Sequence, residues 1–87
     1  MEAHLKLAEM YLYLKRYKDA IVQTNEVLKV DGNNAKAYFI KGYVYADAKD
    51  TAKAIVSYET CIEKEPGYYE ALFELGKIRW NWSFLIP

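Results

Sequence analysis

The residues of this chain that could do chemistry are few and scattered. His4 is the single histidine and Cys61 the single cysteine. A side-chain nucleophile needs a base beside it, and the sequence places no serine or cysteine as a partner for His4, so no hydrolytic dyad or triad is expected. One cysteine forms neither an internal disulfide nor a thiolate metal cluster. Asp31-Gly32-Asn33-Asn34 starts like a calcium loop, but its glycine is misplaced and the residue eleven beyond Asp31 is Gly42 instead of glutamate. Asn81-Trp82-Ser83 spells a glycosylation sequon, which means little without secretion. There is no glycine-rich phosphate loop. The expectation is a non-enzymatic protein with no cofactor and no metal.

Charge narrows the partners further. Twelve lysines and arginines are interspersed with twelve acids, for a net charge of zero. Duplex binding needs a concentrated basic patch that displaces counterions from phosphates, so nucleic acid is not an expected partner. No apolar run reaches the roughly 20 residues that span a bilayer. The opening MEAHLKLAEM carries charges where a signal peptide has its apolar stretch. A lone cysteine fits a reducing compartment such as the cytoplasm, without fixing the localisation. At 87 residues and 53% hydrophobic, with nine tyrosines, the chain makes one small folded domain.

The elements that position these residues emerge from an internal repeat. Shifting the sequence by 34 residues superposes Ala8, Gly42 and Gly76. The same shift pairs Ala3 with Ala37 and Ala71, Tyr11 with Tyr45, Lys15 with Lys49, and Ala20-Ile21-Val22 with Ala54-Ile55-Val56. Each unit holds two amphipathic segments parted by a polar break, the pattern of an antiparallel helix pair. Helices are expected at about 2–14, 18–30, 35–48 and 52–64, with a fifth beginning near Tyr69. Gly32 is expected to end the second helix in a left-handed conformation, Asn33 or Asn34 to cap the third, and Asp50 or Thr51 the fourth. Pro66 stops the fourth. A glycine inside a helix costs about 1 kcal/mol relative to alanine. Gly42, Gly76 and Ala8 are therefore read as close crossing points, with Ala20 and Ala54 on the partner helices, where dispersion over tight contact offsets that penalty.

RYKDAIVQTNEVLKVDGNN, followed 34 residues on by DTAKAIVSYETCIEKEPGY, resembles the second helix and linker of tetratricopeptide (TPR) repeats, and LAEMY and KGYVY resemble the matching first helices. The resemblance implies an all-α fold of five helices, a right-handed superhelix of antiparallel pairs. Its units would be residues 1–34, residues 35–68, and residues 69–87 as the first helix of an incomplete third repeat with an apolar tail. The sequence departs from the family at Gly32, in place of the usual linker proline, and at Arg79, where Tyr11 and Tyr45 stand in the other units.

The same resemblance implies protein binding through a concave groove lined by the first helices, with Leu5, Glu9, Leu12, Tyr13, Phe39, Ile40, Tyr43, Asp47, Phe73 and Lys77 on its surface. The apolar members would form an accessible stripe for an apolar peptide or a partner helix, and Glu9, Asp47, Glu70 and Glu74 would favour a neutral or basic ligand. Family members that clamp the carboxylate of chaperone tails use lysine, asparagine and arginine at five sites, matched here by Leu5, Glu9, Ile40, Glu70 and Glu74. Three of these are acidic, which disfavours that ligand. The apolar stretch within 69–87 suggests the alternative of a fragment of a longer solenoid, or a homo-oligomer in which a second copy covers it.

Overall fold

Two short polar segments, Leu14-Lys15-Arg16 and Ala48-Lys49-Asp50, decide where the chain reverses. The computed structural model describes residues 2–85, with side chains through residue 79. Five helices follow one another: α1 (Glu2–Tyr13), α2 (Tyr17–Val30), α3 (Ala35–Asp47), α4 (Thr51–Lys64) and α5 (Tyr69–Leu85). No strand occurs among the described residues. The most extensive packing is α1 on α2 and α3 on α4; α2 against α3 and α4 against α5 join the hairpins, and α1 also touches α3. Stacking hairpins side by side gives an elongated body of 43 × 28 × 16 Å.

Both reversals use the same device. Lys15 and Lys49 adopt left-handed backbone, with φ of 64° and 69°. Past each helix end, the second N–H reaches back to a carbonyl five residues earlier: Arg16 to Tyr11 at 2.8 Å, Asp50 to Tyr45 at 2.8 Å. Lys15 donates to Leu12 at 2.9 Å and Lys49 to Ala46 at 3.1 Å, completing a Schellman closure that satisfies otherwise orphaned carbonyls. A side chain in this region strains the backbone by about 1 kcal/mol, and glycine removes the strain. Lys49→Gly is expected to raise the melting temperature by a few degrees, on the order of 0.5–1 kcal/mol, and Lys49→Val to lower it, as read by thermal circular dichroism.

Gly32, by contrast, has no positive φ, so the expected left-handed glycine is corrected. Asp31 makes that turn at φ −135°, its N–H bonded to Val27, and its carboxylate accepts from the Asn33 N–H at 3.3 Å. The aspartate turn does the reversing with negative φ, and glycine's freedom is not used. Asn34 caps α3 by accepting from Ala37 N–H at 3.0 Å, and Asp50 caps α4 by accepting from Lys53 N–H at 3.3 Å.

The core follows the repeat. Ala8 and Gly42 are buried, as are Ala20 and Ala54 and the equivalent pair Val27 and Cys61. A Cβ built on Gly42 would stand 2.7 Å from Tyr58 Cδ1 and 2.8 Å from Cε1. Tyr58 is fully buried, and the residue equivalent to it in the first hairpin is Thr24, also fully buried. The two hairpins thus balance volume across the crossing: alanine with threonine in one, glycine with tyrosine in the other. Gly76 departs from this scheme. It is exposed, nothing lies within 4 Å of its Cβ position, and it is not a packing site among the described residues. The reason is the partner: α3 has α4 laid across its glycine, and α5 has no such helix among the described residues.

α5 runs unbroken to Leu85, because Trp80-Asn81-Trp82-Ser83-Phe84 holds no proline or glycine to stop it. Arg79, standing where tyrosine stands in the other units, forms an ion pair with Glu59 of α4. The apolar side chains expected to need cover beyond it, Trp80, Trp82, Phe84, Leu85 and Ile86, lie outside the described side chains.

Candidate functional site

The first helices of the hairpins, α1 and α3, and then α5 bring their side chains to two hollows that meet at Tyr43. One, of about 400 Å³, lies between α1 and α3 and is lined by Glu9, Leu12, Tyr13, Lys15, Tyr43 and Asp47. The other, of about 490 Å³, lies between α3 and α5 and is lined by Phe39, Tyr43, Tyr69, Glu70, Phe73 and Glu74. Exposed aromatics dominate: Tyr13 is 86% accessible, Phe73 65% and Tyr43 43%. Free aromatic surface of this kind commonly marks a binding face.

Phe39 is the hinge of the arrangement. Its ring is half-buried and meets Tyr43 edge-on at 6.1 Å, Tyr58 at 5.8 Å and Tyr68 at 5.3 Å, so the exposed Tyr43 is backed by a chain of rings into the core. Leu5 and Ile40 depart from their expected place on the surface. Each is 3% exposed and packs with Ala8, Ala20, Val27, Ala37 and Val44 between the helices. Leu5 lies three residues before Ala8, and Ile40 lies three after Ala37 and four before Val44; that spacing puts both on the core side of their helices.

The charges on this face are largely tied down within the chain. Asp47 accepts from Lys15 Nζ at 2.8 Å and from the Tyr17 hydroxyl at 2.8 Å, a latch between the first hairpin and the second. Lys36 of α3 reaches both Glu2 and Glu9 of α1 at 3.9 Å. Lys77 lies 3.5 Å from Glu74, and its ammonium sits 5.3 Å from the centre of the Phe73 ring. Sequence reasoning did not single out Lys15 and Tyr17 as latch partners or Tyr69 as part of the wall. Their signal was position: Lys15 and Tyr17 flank the first hairpin turn, and Tyr69 opens α5.

The latch has a pH signature. The bond from Lys15, then that from Tyr17, hold the Asp47 carboxyl below its ordinary 3.8. The same bonds raise Lys15 above 10.5 and Tyr17 above 10.0. A lowered carboxylate stabilises the fold above its ordinary value, and the contribution is lost as pH falls through the lowered one; the raised Lys15 and Tyr17 contribute below their ordinary values and are lost as pH rises through the raised ones. Asp47→Asn is expected to flatten the acid limb of the stability profile below about pH 4, measured by thermal melts.

Chemistry at the remaining candidates is structural. Burial pushes the Cys61 thiol up to about 12, far from the thiolate that reacts. His4 is exposed at the edge of the first hairpin, its Nδ1 2.8 Å from Gln23 Oε1. Another hollow, of about 380 Å³, lies between α2 and the second turn, lined by Tyr17, Ile21, Val44, Tyr45 and Asp50 among others, and shares no residue with the two above. Its Asp50 is already committed to capping α4. No group of three or more histidine, cysteine or acidic residues suited to a metal ion occurs among the described residues. No helix among them is long and apolar enough to cross a membrane.

The tetratricopeptide repeat model matches residues 35–68, the stretch from the start of α3 to the start of α5. The whole fold is similar, with a TM-score of 0.82 and 28% identity, to the first TPR of Spaghetti (RPAP3) bound to the HSP90 peptide SRMEEVD, over 92% of this chain. The chain belongs to the tetratricopeptide repeat family. Helices α3 and α4 make up the matched TPR repeat. The chain is also 34% identical over 70 residues to the peptidyl-prolyl cis-trans isomerase CYP7 of Saccharomyces cerevisiae. The chain spans 18% of the length of that isomerase and 64% of the Spaghetti chain.

Proposed function

We propose that this chain is a non-enzymatic scaffold that binds a peptide or a partner helix on the face formed by α1, α3 and α5. Repeats 1–34 and 35–68 and the first helix of a third supply that face. The observation that carries this reading is Tyr43, an exposed ring that lines both hollows and is braced from behind by Phe39. Tyr13, Phe39 and Phe73 are the further anchors, with Leu12 beside Tyr13 in the hollow between α1 and α3. TPR solenoids are protein-interaction folds, and the Spaghetti domain was solved with a peptide. The similarity to CYP7 is confined to a fifth of that isomerase, and the likeness offers no reason to transfer its chemistry.

The ligand differs from that of the neighbour. SRMEEVD carries three acidic residues against one arginine. The five positions a chaperone clamp would use are Leu5, Glu9, Ile40, Glu70 and Glu74, two of them buried in the core and three acidic. A neutral or basic peptide with apolar anchors fits this face, at an affinity near the micromolar level, about 8 kcal/mol. Selection of binders from a displayed library of random peptides tests the reading. Tyr43→Ala is expected to weaken the selected peptides about tenfold or more with unchanged far-ultraviolet circular dichroism, and SRMEEVD is expected not to bind. A Tyr43→Ala variant that binds normally contradicts it.

A second reading draws on the open side of α5. With Gly76 bare and Leu72 exposed, this helix is the natural seat of a further repeat or of a second copy. Light scattering on the eluted peak would show a dimer at tens of micromolar; a monomer removes the self-assembly version.

A further inference from the structure

The hollow between α3 and α5 has a composition that points to a specific side chain. Four rings, Phe39, Tyr43, Tyr69 and Phe73, share its wall with the carboxylates Glu70 and Glu74. Aromatic faces carry negative charge density, and they attract a cation held near them when a carboxylate supplies the hydrogen bonds. Lys77 already displays that chemistry from within the chain, its ammonium over the Phe73 ring and 3.5 Å from Glu74. Glu70 has no ion-pair partner among the described residues. The pocket thus has one carboxylate lightly engaged by a surface lysine, one without a cation, and more ring surface than Lys77 covers.

We propose that this hollow is the receptor for one arginine side chain of the bound peptide, its guanidinium stacked on the exposed rings and bridging Glu70 and Glu74 in place of Lys77. Arginine suits the site better than lysine because its plane lies flat on a ring while its fork reaches two carboxylates at once. The proposal rests on the peptide-binding reading and adds the residue that the pocket selects.

Calorimetry on the full chain tests it with three blocked heptapeptides, acetyl-Ser-Leu-Gly-Xaa-Gly-Leu-Ser-amide, in which Xaa is arginine, its neutral isostere citrulline, or glutamate. The arginine peptide is expected to bind about tenfold tighter than the citrulline peptide, and the glutamate peptide weakest. That preference is expected to vanish in the double variant Glu70→Gln, Glu74→Gln. Removing the internal competitor with Lys77→Met is expected to tighten the arginine peptide about threefold. Equal binding of all three peptides, or weaker arginine binding by Lys77→Met, overturns the arginine site and leaves peptide binding standing. Binding of none of the three overturns the arginine site and counts against the peptide-binding face as well.

Discussion

Gly42→Leu is expected to unfold or grossly loosen the domain. The ring of Tyr58 fills the space a side chain would need, with Cδ1 2.7 Å from the Cβ position and Cγ 3.2 Å from it. Tyr58 is fully buried and cannot swing into solvent, so relief requires α3 and α4 to part. Overpacking typically costs about 1–3 kcal/mol, and four extra heavy atoms at an already sub-contact distance lie at or beyond the upper end. For a domain of this size that is a large share of a stability of about 5 kcal/mol, the low end of the usual range. Even Gly42→Ala is expected to destabilise, although alanine is the better helix former by about 1 kcal/mol. Gly76→Ala is expected to have the opposite sign, a gain of about that amount, because its site is open. Urea midpoints of the three variants check the claim. The first hairpin supplies a control: Gly42→Ala with Tyr58→Thr reproduces the pair Ala8 and Thr24, and the two changes are expected to couple favourably by about 1 kcal/mol or more.

Tyr58→Ala is expected to be comparably severe. It removes a fully buried ring from under Gly42 and from beside Phe39, and truncating such an aromatic costs roughly 3–5 kcal/mol. The cavity would also leave Phe39 without one of its three ring neighbours and so loosen the support behind Tyr43. Tyr58→Phe is expected to go the other way. The Tyr58 hydroxyl is buried with no hydrogen-bond partner among the described residues. Its burial, first, and then Glu74 and Tyr43 nearby push the phenol well above its ordinary 10.0, so it stays neutral and unpaid by any hydrogen bond. Removing an unsatisfied buried polar group recovers about 1 kcal/mol or more, a rise in melting temperature of about 4–8 °C for a domain this small. A fall in melting temperature for Tyr58→Phe would show that the hydroxyl has a partner.

Most of the architecture was legible because it repeats. The period of 34 residues, the small residues at positions 8 and 42 and 20 and 54, and the stops near 30 and 66 locate four helices closely. What misled was residue type read without its partner. Gly76 has the same chemistry as Gly42, but a glycine shows only that a close approach is possible, and the approaching helix is a separate fact. Lys15 and Lys49 gave no turn signal of their own, because lysine is not a left-handed former; only their recurrence at the same place marked them. Leu5 and Ile40 could have been placed in the core from their spacing to Ala8, Ala37 and Val44. The family frame put them in the groove instead. The ring stack behind Tyr43 depends on side-chain packing across three helices, which periodicity does not encode.

Ligands are expected to be taken up on the face of α1, α3 and α5, around Tyr43. The most direct measurement is an amide chemical-shift map of the labelled chain, titrated with a peptide selected from the displayed library. Shifts are expected to concentrate at Tyr13, Phe39, Tyr43, Tyr69 and Phe73, with Val22 and Val56 on α2 and α4 unmoved. Shifts centred on α2 and α4, or around the hollow of Tyr17, Ile21 and Tyr45, would contradict it.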